Sequence, residues 1–290
     1  MISIVIPAYN EDREIAITIH ACKNVLEGLG LTTGEVIVVD DCSKDNTARL
    51  AEENGAIVVR HPHNIGYGRS LKDGIQKAKN DIICITDADG TYPIDKIPQL
   101  YEEYQKGFDM VVGARQGKFY IESTKKSILR FILKKLVEFT AGRSIPDINS
   151  GLRMFSKKTV VPYFGTLSNT FSFTTSVTLA YMMTGKFVKY IPIDYYKRTG
   201  KTNVKLVNDS LRTLQFIVEA ILFYNPIKIF LVFCGVLIFL GMFSLAVAFF
   251  LKISLFYFLG IGCLLLSILM FGLGLIATLL KQILQKQNHA

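Results

Sequence analysis

The chain has 290 residues, half of them hydrophobic, and carries 33 Lys+Arg against 24 Asp+Glu for a formal charge of +9. This length allows one large domain or two small ones, and the apolar content excludes a disordered chain. The charge is uneven, which excludes a simple nucleic-acid binder: residues 1–114 are net −7, residues 115–224 net +12 and residues 225–290 net +4.

Five cysteines without a CxxC pair exclude a disulfide scaffold and fit a reduced, cytosol-facing chain. Residues 1–10 show no secretory leader pattern and run straight into a strand and a polar turn. Short β-branched runs at 2–6, 35–39, 57–60, 82–86 and 110–112 predict strands. Their near-continuous apolarity predicts burial on both faces, as in a parallel sheet. Helical patterns at 12–28, 45–54, 67–79 and 94–106 alternate with them. The alternation predicts an α/β doubly wound, Rossmann-like sheet with ligands at the carboxyl ends of its strands.

Polar residues collect at those ends. Pro7-Ala8-Tyr9-Asn10-Glu11 follows the first strand, and Asp40-Asp41-Cys42-Ser43-Lys44-Asp45-Asn46-Thr47 follows the second. Residues 61–69 follow the third and Asp87-Ala88-Asp89-Gly90 the fourth. Asp45 reads as a helix N-cap, and Asn10 or Asp12 as a cap for the first helix. Gly66-Tyr67-Gly68 is only GxG, since residue 71 is Leu, which excludes a dinucleotide fingerprint. Asp87 and Asp89 would repel each other at the mouth of a buried strand unless a cation joined them. Carboxylate oxygens with open positions suit Mg²⁺ or Mn²⁺ shared with a diphosphate.

In the basic middle, residues 122–142 mix Lys125, Lys126, Arg130, Lys134 and Lys135 with eight large apolar residues. This is the pattern of an amphipathic helix at a membrane surface. Residues 204–223 repeat it, and both fit collars against anionic lipid headgroups. Two stretches then follow, 227–251 with one charge (Lys228) and 255–280 with none. Each is about 25 residues, or roughly 38 Å of helix, which exceeds a hydrocarbon core of about 30 Å. Only Lys252, Ile253 and Ser254 separate them, so a transmembrane hairpin is expected with both ends on one side. Flanking Lys197, Arg198, Lys201, Lys205, Arg212, Lys281 and Lys286 place that side, and both termini, in the cytoplasm. Gly260, Gly262, Gly272 and Gly274 fit close packing, either within the hairpin or between subunits of a homo-oligomer. The expected organisation is a cytoplasmic domain over 1–202, a juxtamembrane helix over 203–225 and a membrane unit over 226–290.

Five segments together resemble the family-2 glycosyltransferases with a GT-A fold: IPAYNE (6–11), VDDCSKDNT (39–47), HNIGYGRSLKDGI (63–75), ITDADGTYP (85–93) and VVGAR (111–115). Asp147-Ile148-Asn149-Ser150-Gly151-Leu152-Arg153 is similar to the D-x-x-S-G-hydrophobic-R segment of the dolichyl-phosphate mannosyltransferase-like branch. That branch includes bacterial polyprenyl-phosphate glycosyltransferases, some of which end in a two-span hairpin. Arg198-Thr199-Gly200-Lys201-Thr202 resembles its R-x-G-x-S segment, although Asn203 stands where Lys is usual and Lys205 lies two further on. Thr91 replaces a Gln that several relatives carry near the metal. Processive polysaccharide synthases share the front domain, but their Q-x-x-R-W segment is missing from a chain without Trp.

The resemblance implies an inverting transfer of a hexose from a nucleotide-diphosphate sugar to polyprenyl phosphate at a lipid bilayer. It implies donor binding by Pro7, Ala8, Tyr9, Glu11, Asp40 or Asp41, Arg69, Asp87 and Ala88, with Mg²⁺ or Mn²⁺ on Asp87 and Asp89. Arg115, Arg153 and Arg198 are implied to grip phosphates, with Ser150 and Lys205 nearby; Arg130 faces either phosphate or lipid. Asp89, Asp147 and Arg198 are the implied catalytic residues, Asp147 as base or as an orienting partner of Arg. A diacylglycerol-type acceptor and a non-catalytic nucleotide-binding adaptor are the alternatives.

Overall fold

The computed structural model describes residues 1–117, 120, 135–139, 141–197 and 206–287. The chain divides into two compact units, Met1–Ile217 and Val218–Ala290.

Seven strands form one sheet in the first unit: β1 (Ile2–Ala8), β2 (Glu35–Asp40), β3 (Ile57–Arg60), β4 (Ile82–Ile85), β5 (Met110–Gln116), β6 (Arg153–Ser156) and β7 (Val188–Asp194). Their order is β3-β2-β1-β4-β6-β5-β7. β6 runs antiparallel to both β4 and β5, and every other pair is parallel. All seven residues of β1 are buried, because helices cover both faces of the centre. Those helices are α1 (Ile15–Gly28), α2 (Thr47–Glu53), α3 (Tyr67–Lys77), α4 (Ile97–Gln105) and α5 (Phe173–Met183). Gly74 lets α3 lie close on the sheet: a Cβ there would come within 2.9 Å of Val39 Cγ2 and nearer still to Val5 Cγ1.

The expected front strands and helices form within a few residues of the expected bounds. β6, β7 and α5 go beyond that expectation. β6 has only four residues and starts inside the polar D-x-x-S-G-L-R segment, so no apolar run announces it. β7 is an edge strand with alternating exposure, which reads weakly beside the buried runs of the centre. The predicted caps are displaced: the N-cap of α2 is Asn46 and that of α1 is Glu14, neither with a side-chain cap bond, and Asp45 and Asn10 bond elsewhere. Asp45 Oδ1 accepts from Thr47 N–H at 3.0 Å, at the start of α2. Asn10 does not cap α1; it takes a left-handed turn (φ 56°) and its Oδ1 accepts from Lys44 N–H at 2.8 Å. The loops after β1 and β2 are thereby tied into one rim.

The strand order reverses between β1 and β4, so the chain leaves those neighbouring carboxyl ends in different directions and a crevice opens above them.

α6 (Leu206–Tyr224) crosses the boundary between the units and leads to α7 (Pro226–Leu251) and α8 (Ser254–Gln287). Stretches of 26 and 30 residues in α7 and α8 are long and apolar enough to cross a membrane, with mean hydropathies of 2.7 and 2.6. Only 17% and 11% of their most apolar windows are buried, unlike core helices of a soluble protein. Lys252, in a left-handed conformation, turns the chain between them. The glycines divide by role: a Cβ on Gly260 would meet Leu245 Cγ at 2.6 Å and one on Gly274 would meet Phe230 Cβ at 2.8 Å, whereas Gly262 and Gly272 have nothing within 4 Å. The Cys234 thiol donates to Ser267 O (3.2 Å) and the Ser244 hydroxyl to Phe256 O (2.9 Å), so buried polar groups are satisfied across the hairpin.

Candidate active site

A cavity of about 270 Å³ lies at the switch point. Pro7 and Ala8 at the end of β1, Tyr9 and Glu11 after it, Asp41 after β2, and Asp87, Ala88 and Asp89 after β4 all line it. Asn64, Gly66, Tyr67 and Ser70 complete one wall, and Phe171 reaches it from the turn before α5.

Asp87 and Asp89 are held from several sides. The Tyr67 hydroxyl donates to Asp87 Oδ1 at 2.8 Å. Gly151 packs so closely that a Cβ would lie 2.8 Å from either Asp87 carboxylate oxygen. Asp89 Oδ1 accepts from Thr91 N–H (3.2 Å) and from the Thr91 hydroxyl (2.6 Å). Thr91 is therefore a brace for Asp89, a role open to a short hydroxyl side chain. Two hard carboxylates with a cradle kept free of any Cβ fit a divalent cation with oxygen ligands. Among the described residues no group of three His, Cys, Asp or Glu side chains converges, so a bound cation would take its remaining ligands from a diphosphate and water.

The Asp40–Asp41 alternative separates in the structure. Asp41 lines the cavity, while Asp40 accepts from Ser43 N–H at 3.2 Å. Asp41 is also a loop organiser: Oδ1 accepts from Ile65 N–H (2.9 Å) and lies 2.8 Å from His61 Nδ1, and Oδ2 accepts from Gly66 N–H (2.8 Å). The buried His61 ring lies between two carboxylates, with Nε2 3.2 Å from Asp73 Oδ2. Arg69 is not brought to the cavity; its Nε donates to Asp73 Oδ2 at 2.8 Å from an exposed position on α3.

Three of the residues expected at a phosphate are occupied inside the fold. Arg153 is completely buried: Nε donates to Ser150 O (2.7 Å), Nη1 to Thr178 Oγ1 (2.6 Å) and Nη2 to Ile148 O (2.8 Å). Its expected phosphate grip is replaced by a structural one, because its donors are directed at the backbone before β6 and at α5. Ser150 is likewise buried, its hydroxyl donating to Gly113 O at 2.5 Å. Arg115 Nε donates to Asp147 Oδ2 (2.7 Å) and Nη2 to Asp147 Oδ1 (2.9 Å) in a bidentate pair. The Arg115 guanidinium lies 5.1 Å from the Tyr120 ring centroid and 5.2 Å from that of Tyr195.

Asp147 is 2% exposed. Burial by itself would raise its pKa, but the Arg115 charge and N–H groups, with Asn149 N–H, outweigh that and hold it below the usual carboxylate range. This is the orienting alternative for Asp147, since a carboxylate held ionised by four hydrogen bonds is a poor proton acceptor. Arg130, Arg198 and Lys205 lie outside the described residues, as does most of the helix expected over 122–142.

The model of glycosyl transferase family 2 matches residues 3–164, more than half of the chain and every segment that lines the cavity except Phe171. The chain belongs to glycosyl transferase family 2. Its curated relatives include the low-salt glycan biosynthesis hexosyltransferase Agl6 of Haloferax volcanii, 30% identical over 74% of this chain and 52% of the relative. Another is the undecaprenyl-phosphate 4-deoxy-4-formamido-L-arabinose transferase of Proteus mirabilis, 31% identical over 54% of this chain and 49% of the relative. The chain thus spans about half the length of these two. Among solved structures it is similar to glucosyl-3-phosphoglycerate synthase from Mycobacterium tuberculosis in complex with Mn²⁺, uridine diphosphate and glucosyl-3-phosphoglycerate. The TM-score is 0.63 over 76% of this chain and 79% of that one, at 19% identity, a likeness of fold. A family-2 member with this sheet order has the expected GT-A architecture.

Asn64, Gly66, Tyr67, Ser70 and Phe171 line the cavity, and His61 and Thr91 lie against Asp41 and Asp89, without a role expected from the sequence. The GxG segment around Tyr67 signals only its glycines, and Thr91 reads only as a departure from the family pattern. Phe171 comes from more than 80 positions beyond Asp87 and carries no local signal.

Proposed function

We propose that this chain is a membrane-bound, inverting hexosyltransferase that uses a UDP- or GDP-linked sugar and delivers the hexose to polyprenyl phosphate at the cytoplasmic face. The observation that carries the reading is the placement of Asp87 and Asp89 on one cavity at the switch point of a family-2 sheet. The apolar hairpin of the second unit supports a lipid acceptor, as does the undecaprenyl-phosphate activity of the P. mirabilis relative, while the H. volcanii relative supports hexose transfer.

In this reading residues 1–202 are the catalytic domain, 203–225 the juxtamembrane helix and 226–290 the membrane anchor, with both ends in the cytoplasm. Pro7, Ala8, Tyr9, Glu11 and Asp41 receive the nucleoside, and the hydrogen bonds on Asp41 keep that wall preorganised. Asp87 and Asp89 hold Mg²⁺ or Mn²⁺, the ions bound with UDP in the M. tuberculosis enzyme. When bound, such an ion neutralises negative charge on the departing diphosphate. Asp87 and Asp89 keep fixed orientations through Tyr67, Gly151 and Thr91. The acceptor needs little help with its proton: a phosphate monoester has a second pKa of about 6 and is largely ionised at pH 7. Positioning is then the larger task, and Arg130, Arg198 and Lys205 are the proposed grips on the acceptor phosphate. Asp147 contributes by holding Arg115 beside Tyr195.

The test incubates membranes carrying the chain with a panel of labelled nucleotide sugars and polyprenyl phosphate. One donor should be consumed and the label should enter lipid, from which mild acid releases it. An acid-stable product would move the acceptor to a diacylglycerol type, and no turnover with any donor would reduce the chain to a binding adaptor. Asp89→Asn should lower transfer about 100-fold or more, and EDTA should abolish it. Near-full transfer by Asp89→Asn with metal present would remove Asp89 from the metal site.

A further inference from the structure

Gly66, Tyr67 and Gly68 begin α3, and the two glycines admit a second chain segment. A Cβ on Gly66 would lie 2.8 Å from Asn169 O, and one on Gly68 would lie 2.8 Å from Thr170 O and closer still to Ser168 O. Only glycine at both positions lets residues 168–170 lie against the first turn of this helix. Arg69 N–H then donates to Asn169 O at 3.0 Å. One turn on, the Lys72 ammonium donates to Phe164 O (2.8 Å), Leu167 O (2.5 Å) and Asn169 Oδ1 (2.7 Å). The segment from 164 to 170 is clamped to α3 by a buried cation.

The clamp delivers Phe171. Its ring stacks on Tyr67 with centroids 5.6 Å apart and planes 14° from parallel. Phe171 is 46% exposed, so its placement is due to this contact and not to burial in the core. With the Tyr67 ring fixed from that side, its hydroxyl donates to Asp87 Oδ1. Gly151 bounds the same carboxylate from β6's approach.

From this we infer that Tyr67 is a positioning residue for Asp87, setting the orientation in which that carboxylate meets a divalent cation, and that the Phe171 ring holds Tyr67 in place. The inference rests on the proposed metal role of Asp87. Partners of a metal ligand of this kind typically change metal affinity by 10- to 100-fold when removed.

The test measures Mn²⁺ binding to the full chain in detergent by electron paramagnetic resonance, with UDP and, separately, GDP present. Tyr67→Phe, which deletes one hydroxyl, should weaken Mn²⁺ binding about 10-fold or more. Its unfolding midpoint should fall by only the few degrees that one lost hydrogen bond is worth, and metal-free nucleotide binding is the control for the integrity of the cavity. Phe171→Ala should weaken Mn²⁺ about threefold, the worth of a modest aromatic pair, and Phe171→Tyr should restore it. If wild type binds Mn²⁺ and Tyr67→Phe binds it equally well, the inference fails while the metal reading stands. Parallel loss of metal-free nucleotide binding in Tyr67→Phe would also overturn it, by assigning Tyr67 to the general integrity of the cavity. If wild type takes up no Mn²⁺, or Asp87→Asn takes it up as well as wild type, the metal reading itself fails.

Discussion

Asp87-Ala88-Asp89 and the segment from Asp147 to Arg153 are both short polar stretches beside buried strands, yet their polar atoms are directed oppositely. The first presents two carboxylates to a cavity, each braced by a neighbouring hydroxyl. In the second, Asp147, Ser150 and Arg153 are directed to partners within the fold. The two are physically linked, since Gly151 of the second is what leaves room for Asp87 of the first. The contrast separates residues that line the cavity from residues bonded within the fold beside it. A buried guanidinium satisfied by carbonyls fixes a loop, whereas a carboxylate braced at a cavity wall keeps a fixed orientation toward that cavity.

Substitutions in the inward-facing segment should act on stability first. Arg153→Ala is the largest expected effect: it empties a fully buried site and strands Ser150 O and Ile148 O, costing about 4 kcal/mol. Thermal unfolding in detergent reads this, and an unfolding midpoint equal to wild type would break the distinction. Asp147→Asn leaves Arg115 buried without its ion-pair partner and should cost about 3 kcal/mol. It should also alter the acid limb. Because the folded-state pKa of Asp147 is depressed, its contribution is complete above the unfolded-chain value of about 3.9 and is lost as pH falls below it. The variant lacks this ionisation, so its stability should fall less steeply below about pH 4. A wild-type slope there would show that the pair does not titrate with unfolding. Ser150→Ala is the smallest, about 1 kcal/mol for one buried hydrogen bond, with Mn²⁺ affinity unchanged. A shift in Mn²⁺ affinity without loss of stability would place Ser150 on the ligand side after all.

The parallel strands of the front half, the polar strand ends and the two apolar stretches were all legible from residue type and spacing. Local pattern suffices there, because a buried strand must be apolar on both faces and a helix exposed to lipid must be apolar all round. The pairing of Asp87 with Asp89, two residues apart after a strand, was equally visible. The other polar residues were legible as polar but not as to direction. Arg115 and Arg153 have the composition of phosphate grips, and only the tertiary fold turns them to inner partners, Arg115 to Asp147 and Arg153 to a fully buried site beside β6. Gly262 and Gly274 look alike in the chain, and only the hairpin's packing decides that one touches Phe230 and the other nothing.

The sequence by itself determined the sheet and the gathering of polar residues at the ends of its strands, since these follow from local periodicity. Tertiary structure alone decided which polar groups face the cavity, because that depends on segments far apart in the chain. Phe171 on Tyr67, Gly151 beneath Asp87 and Arg115 on Asp147 are each pairings that no local pattern encodes.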